Sequence, residues 1–310
     1  MLRLQLRIVK KIGCTMNTIQ ATPHALVVEG GAMRGIFASG VLDAFLENSY
    51  LPFDFAIGVS AGATNLIGYL SGNYGRSHKI ITQYSRDPHF INFSRFTHGG
   101  HLTDIDWLWR TTARYLPLNL LKYEQRQIPL YATTTNLETG KAEYIKVTRN
   151  NIMPLMEATC ALPIAYRHNP TIQGVAMSDG GIADSIPVLE AYRRGARNIT
   201  VILSKPLGFH KSDTKLPWLI KSMFHDHPAF ADAVMTRANR YNDALDFINN
   251  PPSDCTITVI APNEQFQVGR LTRNLNKLEQ GYLQGKQAGH RVCGIIPCEG
   301  EHCGSTSLVA

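Results

Sequence analysis

The chain has 310 residues, 44% of them apolar and 18% charged, a balance that excludes a disordered or fibrous polypeptide and leaves room for one large α/β domain or two small ones. The formal net charge is +7, which favours anionic partners. The basic residues are scattered, however, with no dense basic run carrying interleaved aromatics, so nucleic acid is excluded as a partner and transient contact with a membrane surface is retained.

The first twenty residues alternate apolar and basic side chains and lack the unbroken apolar core of a signal peptide. Ile12-Gly13-Cys14 has a faint likeness to a lipoprotein cleavage site, but Lys10 and Lys11 stand where apolar residues belong. Residues 1–22 therefore read as an arm, and Met16 could even be the start. No stretch approaches the roughly 18 apolar residues of a membrane span. The expected location is cytoplasmic, peripheral to a membrane at most. Ala25 to Val28 is an apolar, β-branched run that predicts a buried strand. A helix should follow from Arg34 to Asn48, with Ile36, Phe37, Val41, Leu42, Phe45 and Leu46 on one stripe. Phe53 to Val59 predicts a second strand, and Ser60 opens a helix that runs to Gly72.

Further on, Ile128 to Thr134 and Glu143 to Val147 predict a hairpin around the turn Glu138 to Lys141. A short helix is expected over Asn151 to Thr159, and one strand over Ile172 to Met177. Pro187 should begin a helix that ends near Gly195, and Ile199 to Leu203 a strand. The segment 206–228 reads as a loop or mobile cover. Phe230, Val234, Tyr241, Leu245 and Ile248 predict one helix stopped at Pro251-Pro252. Thr256 to Ile260 is a strand, and Leu271, Leu275, Leu278 and Tyr282 mark a last helix. Alternating strands and helices predict an α/β fold with a mostly parallel central sheet flanked by helices. The six cysteines stand at 14, 160, 255, 293, 298 and 303. The C-x4-C-x4-C run of the last three, with His302, lacks the tighter pairs of a zinc site, so reduced thiols in a frayed tail are expected and no disulfide framework.

Three glycine-rich turns carry the chemistry. Gly58-Val59-Ser60-Ala61-Gly62 fits G-x-S-x-G between a strand and a helix, the context that exposes a nucleophilic hydroxyl. Gly30-Gly31-Ala32-Met33-Arg34-Gly35 can converge backbone N–H groups on an anion, either a pyrophosphate or the oxyanion of an ester transition state. A dinucleotide fingerprint is disfavoured, because Ala32 occupies the place of its second glycine and no acidic residue ends the next strand. Asp179-Gly180-Gly181 by itself reads as a turn.

In this order and spacing the three turns resemble the patatin-like phospholipase family, over roughly residues 24–205. Ala158 to Pro163 resembles the segment that precedes the family's aspartate. The bacterial branch is suggested by Gly99-Gly100-His101-Leu102 followed by Asp104 and Asp106-Trp107-Leu108. The resemblance implies a three-layer α/β domain over 23–205, with a helical and strand elaboration and flexible tail over 206–310. It implies a Ser60–Asp179 dyad, an oxyanion hole from Gly30, Gly31 and Ala32, and support from Arg34, Gly35, Gly58, Gly62, Gly180 and Gly181. Glu29 stands where the family more often has aspartate. Ala32 replaces a glycine, and would be strained if its φ must be positive.

The implied activity is hydrolysis of carboxylic esters of lipids through an acyl-enzyme, with no metal or cofactor. A weakly catalytic binding protein and an acyltransferase are the alternatives. The residues alone leave a histidine base open, since a hydrolase triad runs Ser, acid, His and His210, His225 and His227 all follow Asp179. His101 and His168 are expected to be surface or core residues. Trp107 and Trp109, with Leu102, Ile105 and Leu108, are expected to pack in the core or under a lid.

Overall fold

A computed structural model describes residues 22–294 and the two-residue strand Leu308–Val309. The arm apart from Thr22, with Cys14 and Met16, and the Cys298, His302 and Cys303 stretch lie outside the described residues. The strands are β1 (His24–Val28), β2 (Phe55–Val59), β3 (Leu130–Asn136), β4 (Ala142–Lys146), β5 (Thr171–Ile172), β6 (Val175–Asp179), β7 (Asn198–Ile202), β8 (Thr256–Ile260) and β9 (Leu308–Val309). The helices are α1 (Gly35–Glu47), α2 (Ala61–Leu70), α3 (Arg76–Thr82), α4 (Phe93–Thr97), α5 (Ile105–Tyr115), α6 (Leu120–Arg126), α7 (Ile152–Cys160), α8 (Val188–Arg193), α9 (Pro217–Met223), α10 (Pro228–Met235), α11 (Arg237–Asn249) and α12 (Leu275–Val292).

All strands join one sheet in the order β5-β6-β3-β2-β1-β7-β8-β9, with β4 added to β3. The run β3-β2-β1-β7-β8 is parallel throughout. Side chains alternate across it. Leu26, Val28, Ala56 and Ile202 face a core built with α1, α2, α5 and α7. Ala25, Val27, Ile57 and Val201 face a second core built with α8 and α11. This is the α/β arrangement with a mostly parallel sheet that the alternating pattern predicts, in the three layers that the family resemblance implies. No helix among the described residues is long and apolar enough to cross a membrane.

Four expectations need correction. The strand over 172–177 is instead the hairpin β5–β6, because Gln173 and Gly174 both take positive φ, 51° and 83°, as a tight two-residue turn requires. The stripe from Phe230 to Ile248 is two helices, broken at Thr236. The 206–228 segment contains α9, none of whose residues is buried. Leu271 lies ahead of α12 and is 48% exposed.

The segment between Gly72 and Ile128, which the sequence reading left without elements, holds α3 to α6. Within it α5 is capped by Asp104, whose side chain accepts from Trp107 N at 3.0 Å. Trp109 is buried, whereas Trp107 stacks on His89, so the two tryptophans do not share one environment.

Helix α12 packs across α1 at unusually close range. Its glycines 281, 285 and 289 recur every fourth residue and face α1. A methyl at Gly285 would fall 2.0 Å from the Phe37 carbonyl oxygen, and one at Gly40 of α1 would fall 2.1 Å from that of Tyr282. The buried Asp43 fastens the pair, accepting from Tyr282 OH at 2.9 Å and from Gly75 N at 3.0 Å. Because α1 directly follows the Gly30–Arg34 loop, α12 braces that loop. Gly285→Val should cost about 1–3 kcal/mol by overpacking, outweighing any change in helix propensity of less than about 1 kcal/mol. Denaturant unfolding checks this, and an unchanged midpoint would refute the close packing.

Candidate active site

The sheet brings two strand ends to one place, β2 running parallel to β3 and β6 antiparallel to it. Val59 is in register with Thr133 and Asp179 with Thr134, so consecutive positions of β3 set both Ser60 and Asp179. Ser60 turns the chain from β2 into α2 with φ 52° and ψ −124°. A non-glycine residue reaches such values only at a cost of about 1–3 kcal/mol, and only when its surroundings enforce it.

Those surroundings are visible. Gly62 lies so close to the end of β1 that a methyl there would sit 2.4 Å from the Val28 carbonyl oxygen. At Gly58 it would sit 2.6 Å from the Ala63 Cα. Ser60 N donates to Thr159 Oγ1 at 2.9 Å, and Thr159 Oγ1 donates onward to Thr133 O at 2.6 Å.

Asp179 is held from the same segment, its N–H donating to Ala161 O at 2.9 Å. Its carbonyl accepts from Thr135 Oγ1 at 2.8 Å, and its carboxylate accepts from Gly181 N at 2.8 Å. Gly180 is pressed onto β3, where a methyl would meet Thr133 O at 2.1 Å. Burial pushes the Asp179 carboxyl above the ordinary carboxylate range. Arg237, then the Ser60 hydroxyl, the Gly181 N–H and Arg270, hold it partly down. The same burial pushes the Cys160 thiol up, so it stands neutral beside Ser60 and Asp179.

The Gly30–Ala32 loop faces these two residues. Among the described residues no acceptor is paired with the N–H groups of Gly30, Gly31 or Ala32. The loop is anchored from behind. Buried Glu29 accepts from Ser204 N at 2.6 Å and Tyr241 OH at 3.2 Å, and pairs with Arg34 at 3.7 Å. Arg34 Nε donates to Ser204 Oγ at 3.2 Å. Gly35 O accepts from Asn65 Nδ2 at 2.7 Å, which ties α1 to α2. Ala32 has φ 49°, so the alanine in place of glycine does occupy the left-handed region.

Ser60, Asp179, Gly181 and the Gly30–Ala32 loop line one cavity of about 300 Å³. Its walls are mostly apolar and include Ile81, Phe90, Ile91, Ile105, Leu108 and Trp109. The apolar face of α5 thus serves as cavity wall as well as core. Among the described residues no histidine lines the cavity. His225 is exposed and lies 3.2 Å from Asp226, and His101 packs against Tyr166 and His168. The sequence marks the Ala158–Pro163 segment but gives no role to Thr159 or Cys160, and it does not point to Arg237 or Arg270, all at or beside this site. A hydroxyl on a strained turn, a buried carboxylate and free N–H groups around an apolar cavity can together support nucleophilic attack on an ester.

Comparison with known proteins gives the following. A family model described as patatin-like phospholipase matches residues 26–192, and one described as a domain of unknown function, DUF6363, matches residues 227–294. An uncharacterized Escherichia coli protein, YjjU, is 32% identical over 289 residues, which is 91% of this chain and 80% of that protein. The lysophospholipases NTE1 of Lodderomyces elongisporus and Eremothecium gossypii are 25% and 26% identical over 57% of this chain, which spans 12% of their length. The crystal structure of VipD from Legionella pneumophila aligns with 88% of this chain and 67% of its own, at a TM-score of 0.49 and 12% identity.

Relieving the left-handed backbone at Ala32 should be measurable. Ala32→Gly removes a penalty of roughly 1–2 kcal/mol and adds about 0.5–1 kcal/mol of chain entropy to the unfolded state, a net gain of up to about 1.5 kcal/mol. Urea unfolding reads the difference, and a loss of stability would show that the methyl packs usefully.

Proposed function

Because the chain belongs to the patatin-like phospholipase family, we propose that it hydrolyses carboxylic esters of lipids with Ser60 as nucleophile and Asp179 as base. The observation that carries this reading is the strained Ser60 turn, which shares the wall of an apolar cavity with the buried carboxylate of Asp179. An unassisted serine hydroxyl is a weak nucleophile. A carboxylate in water, with a pKa of roughly 4, is a weak base. Burial raises the basicity of Asp179 and so answers both deficits.

Two half-reactions follow. Asp179 takes the Ser60 proton as Oγ bonds to the ester carbonyl carbon. The charge that develops on the carbonyl oxygen is met by the N–H groups of Gly30, Gly31 and Ala32, each such donor being worth about 10²–10³ in rate. Collapse of this intermediate breaks the ester C–O bond, and the leaving alcohol takes the proton from Asp179. Water then attacks the acyl-serine and gives its proton to Asp179. The fatty acid departs as Ser60 regains its proton. Thr159 and Arg34 serve as positioning residues, the first for Ser60 and the second for the oxyanion loop.

Residues 206–310 are read as an elaboration of this catalytic unit, since β8 extends its sheet and α12 backs α1. Contact with a lipid surface is part of the proposal. Leu216, Trp218, Leu219 and Met223 expose apolar surface around α9, next to Lys215 and Lys221.

Ser60→Ala and Asp179→Asn should each lower kcat/KM for p-nitrophenyl esters by about 10⁴-fold or more, by analogy with the loss of single members of other catalytic sets. Residual hydrolysis within tenfold of wild type in Asp179→Asn would overturn the dyad. The base acts deprotonated and its pKa is raised. Activity should therefore fall as the pH drops through a value above the ordinary carboxylate pKa of roughly 4. A pH–rate profile with its acid limb at or below that value would contradict the burial argument.

A further inference from the structure

The loop that follows α7 is a wall between two cavities. Leu162 and Ala165 line the Ser60 cavity, whereas Pro163, Ile164 and Tyr166 line a second cavity on the other side. Leu137 and Phe230 add to that second lining, and Met223 and Phe224, at the end of α9, cover it. Its volume of about 360 Å³ falls in the lower part of the range for ligand pockets, roughly 300–1,000 Å³. The reaction above uses none of these residues.

Two features of the lining are costly as they stand. Ile164 takes φ 72° and is 49% exposed. A β-branched residue in the left-handed region is strained by about 1–3 kcal/mol, and an exposed side chain returns little of that cost. Met223 is 42% exposed, and no residue of α9 is buried. An apolar occupant would remove both side chains from water. The polar members of the lining decide its head group. Arg167, His227 and Asn169 are among them, and no carboxylate is. Arg167 is exposed, donates to Phe96 O at 3.4 Å and lies 5.1 Å from the centre of the Phe96 ring. A guanidinium at the edge of an apolar hollow is complementary to a carboxylate on an apolar chain.

We propose that this second cavity binds a free fatty acid, its chain between Ile164, Met223 and Phe230 and its carboxylate at Arg167. The site is separate from the Ser60 cavity but mechanically joined to it. Ala161 O accepts from Asp179 N and from Ser178 Oγ, both at 2.9 Å, and Ser178 itself lines the second cavity. An occupant there touches the neighbour of Asp179 and the loop that begins at its carbonyl anchor. A fatty acid is also what the proposed hydrolysis releases; that link to the product rests on the reading of Ser60 and Asp179, whereas the binding site does not.

The test is photolabelling of the wild-type protein with dodecanoic acid that carries a diazirine at its methyl end, followed by peptide mass spectrometry. Adducts are expected on the peptides that carry Ile164, Met223 or Phe230, and excess dodecanoate should remove them. Met223→Asp, which puts a carboxylate into the apolar lining from an exposed position, should cut this labelling about tenfold or more. Arg167→Gln should weaken competition by dodecanoate about threefold to tenfold, the value of a partly exposed charge-assisted pair, and leave competition by dodecanol unchanged. Adducts confined to the Ser60 cavity, at residues such as Phe90 or Leu108, would overturn the proposal, as would no adduct at all. Labelling undiminished in Met223→Asp, or an equal loss of acid and alcohol in Arg167→Gln, would overturn it too. None of these readouts involves ester hydrolysis, so a failure of the catalytic reading is seen separately, in the Ser60→Ala and Asp179→Asn kinetics.

Discussion

Everything at the site depends on one backbone conformation that Ser60 does not prefer. At φ 52° and ψ −124° the chain leaves β2 and enters α2 in a single residue, which lifts the side chain clear of the sheet. The cost of about 1–3 kcal/mol is met by contacts that leave no alternative path. Gly62 lies against the end of β1, Gly58 against Ala63, and Thr159 holds the Ser60 N–H. Thr159 hands the constraint on to Thr133, the residue in register with Val59, next to the one that pairs with Asp179. Ser60 and Asp179 are therefore placed by one stretch of β3 and one short segment, Thr159 to Ala161. Preorganisation of this kind spares the reaction the entropy of assembling its parts.

The Gly30–Ala32 loop is built by a different route. It has no sheet partner of its own, and it is held by a buried cluster of Glu29, Arg34, Ser204 and Tyr241 from behind and by α1 in front. Helix α1 is in turn clamped by α12, whose glycines let the two backbones approach until side chains are excluded. The chain beyond the parallel core thus touches the site in three ways. It contributes a brace to the loop, Tyr241 to the buried cluster, and two arginines to the cavity.

Much of this was legible in the sequence. Short β-branched runs bounded by glycine identify the parallel strands, since a strand buried on both faces needs a continuous apolar run. The positions of Ser60, Asp179 and the Gly30 loop follow from turn motifs that are local in the chain. The strain anticipated at Ala32 is present. Contacts made across long sequence separations left no local trace: Thr159 lies 99 residues from Ser60. Arg237 sits in a polar helix start that looks like any other. The break at Thr236 carries neither proline nor glycine, so the apolar stripe on either side of it reads as continuous. Two signals were present but unread. Gln173-Gly174 between apolar residues marks a tight hairpin, and glycines at 281, 285 and 289 mark a helix face that must meet another backbone.

The most direct measurement of the central claim is to react the protein with a fluorophosphonate and locate the adduct by intact-mass and peptide mass spectrometry. One adduct per chain is expected, on the peptide that carries Ser60, with its formation strongly slowed in Asp179→Asn. An adduct on another residue, or labelling of Ser60 at an undiminished rate without the Asp179 carboxylate, would contradict it.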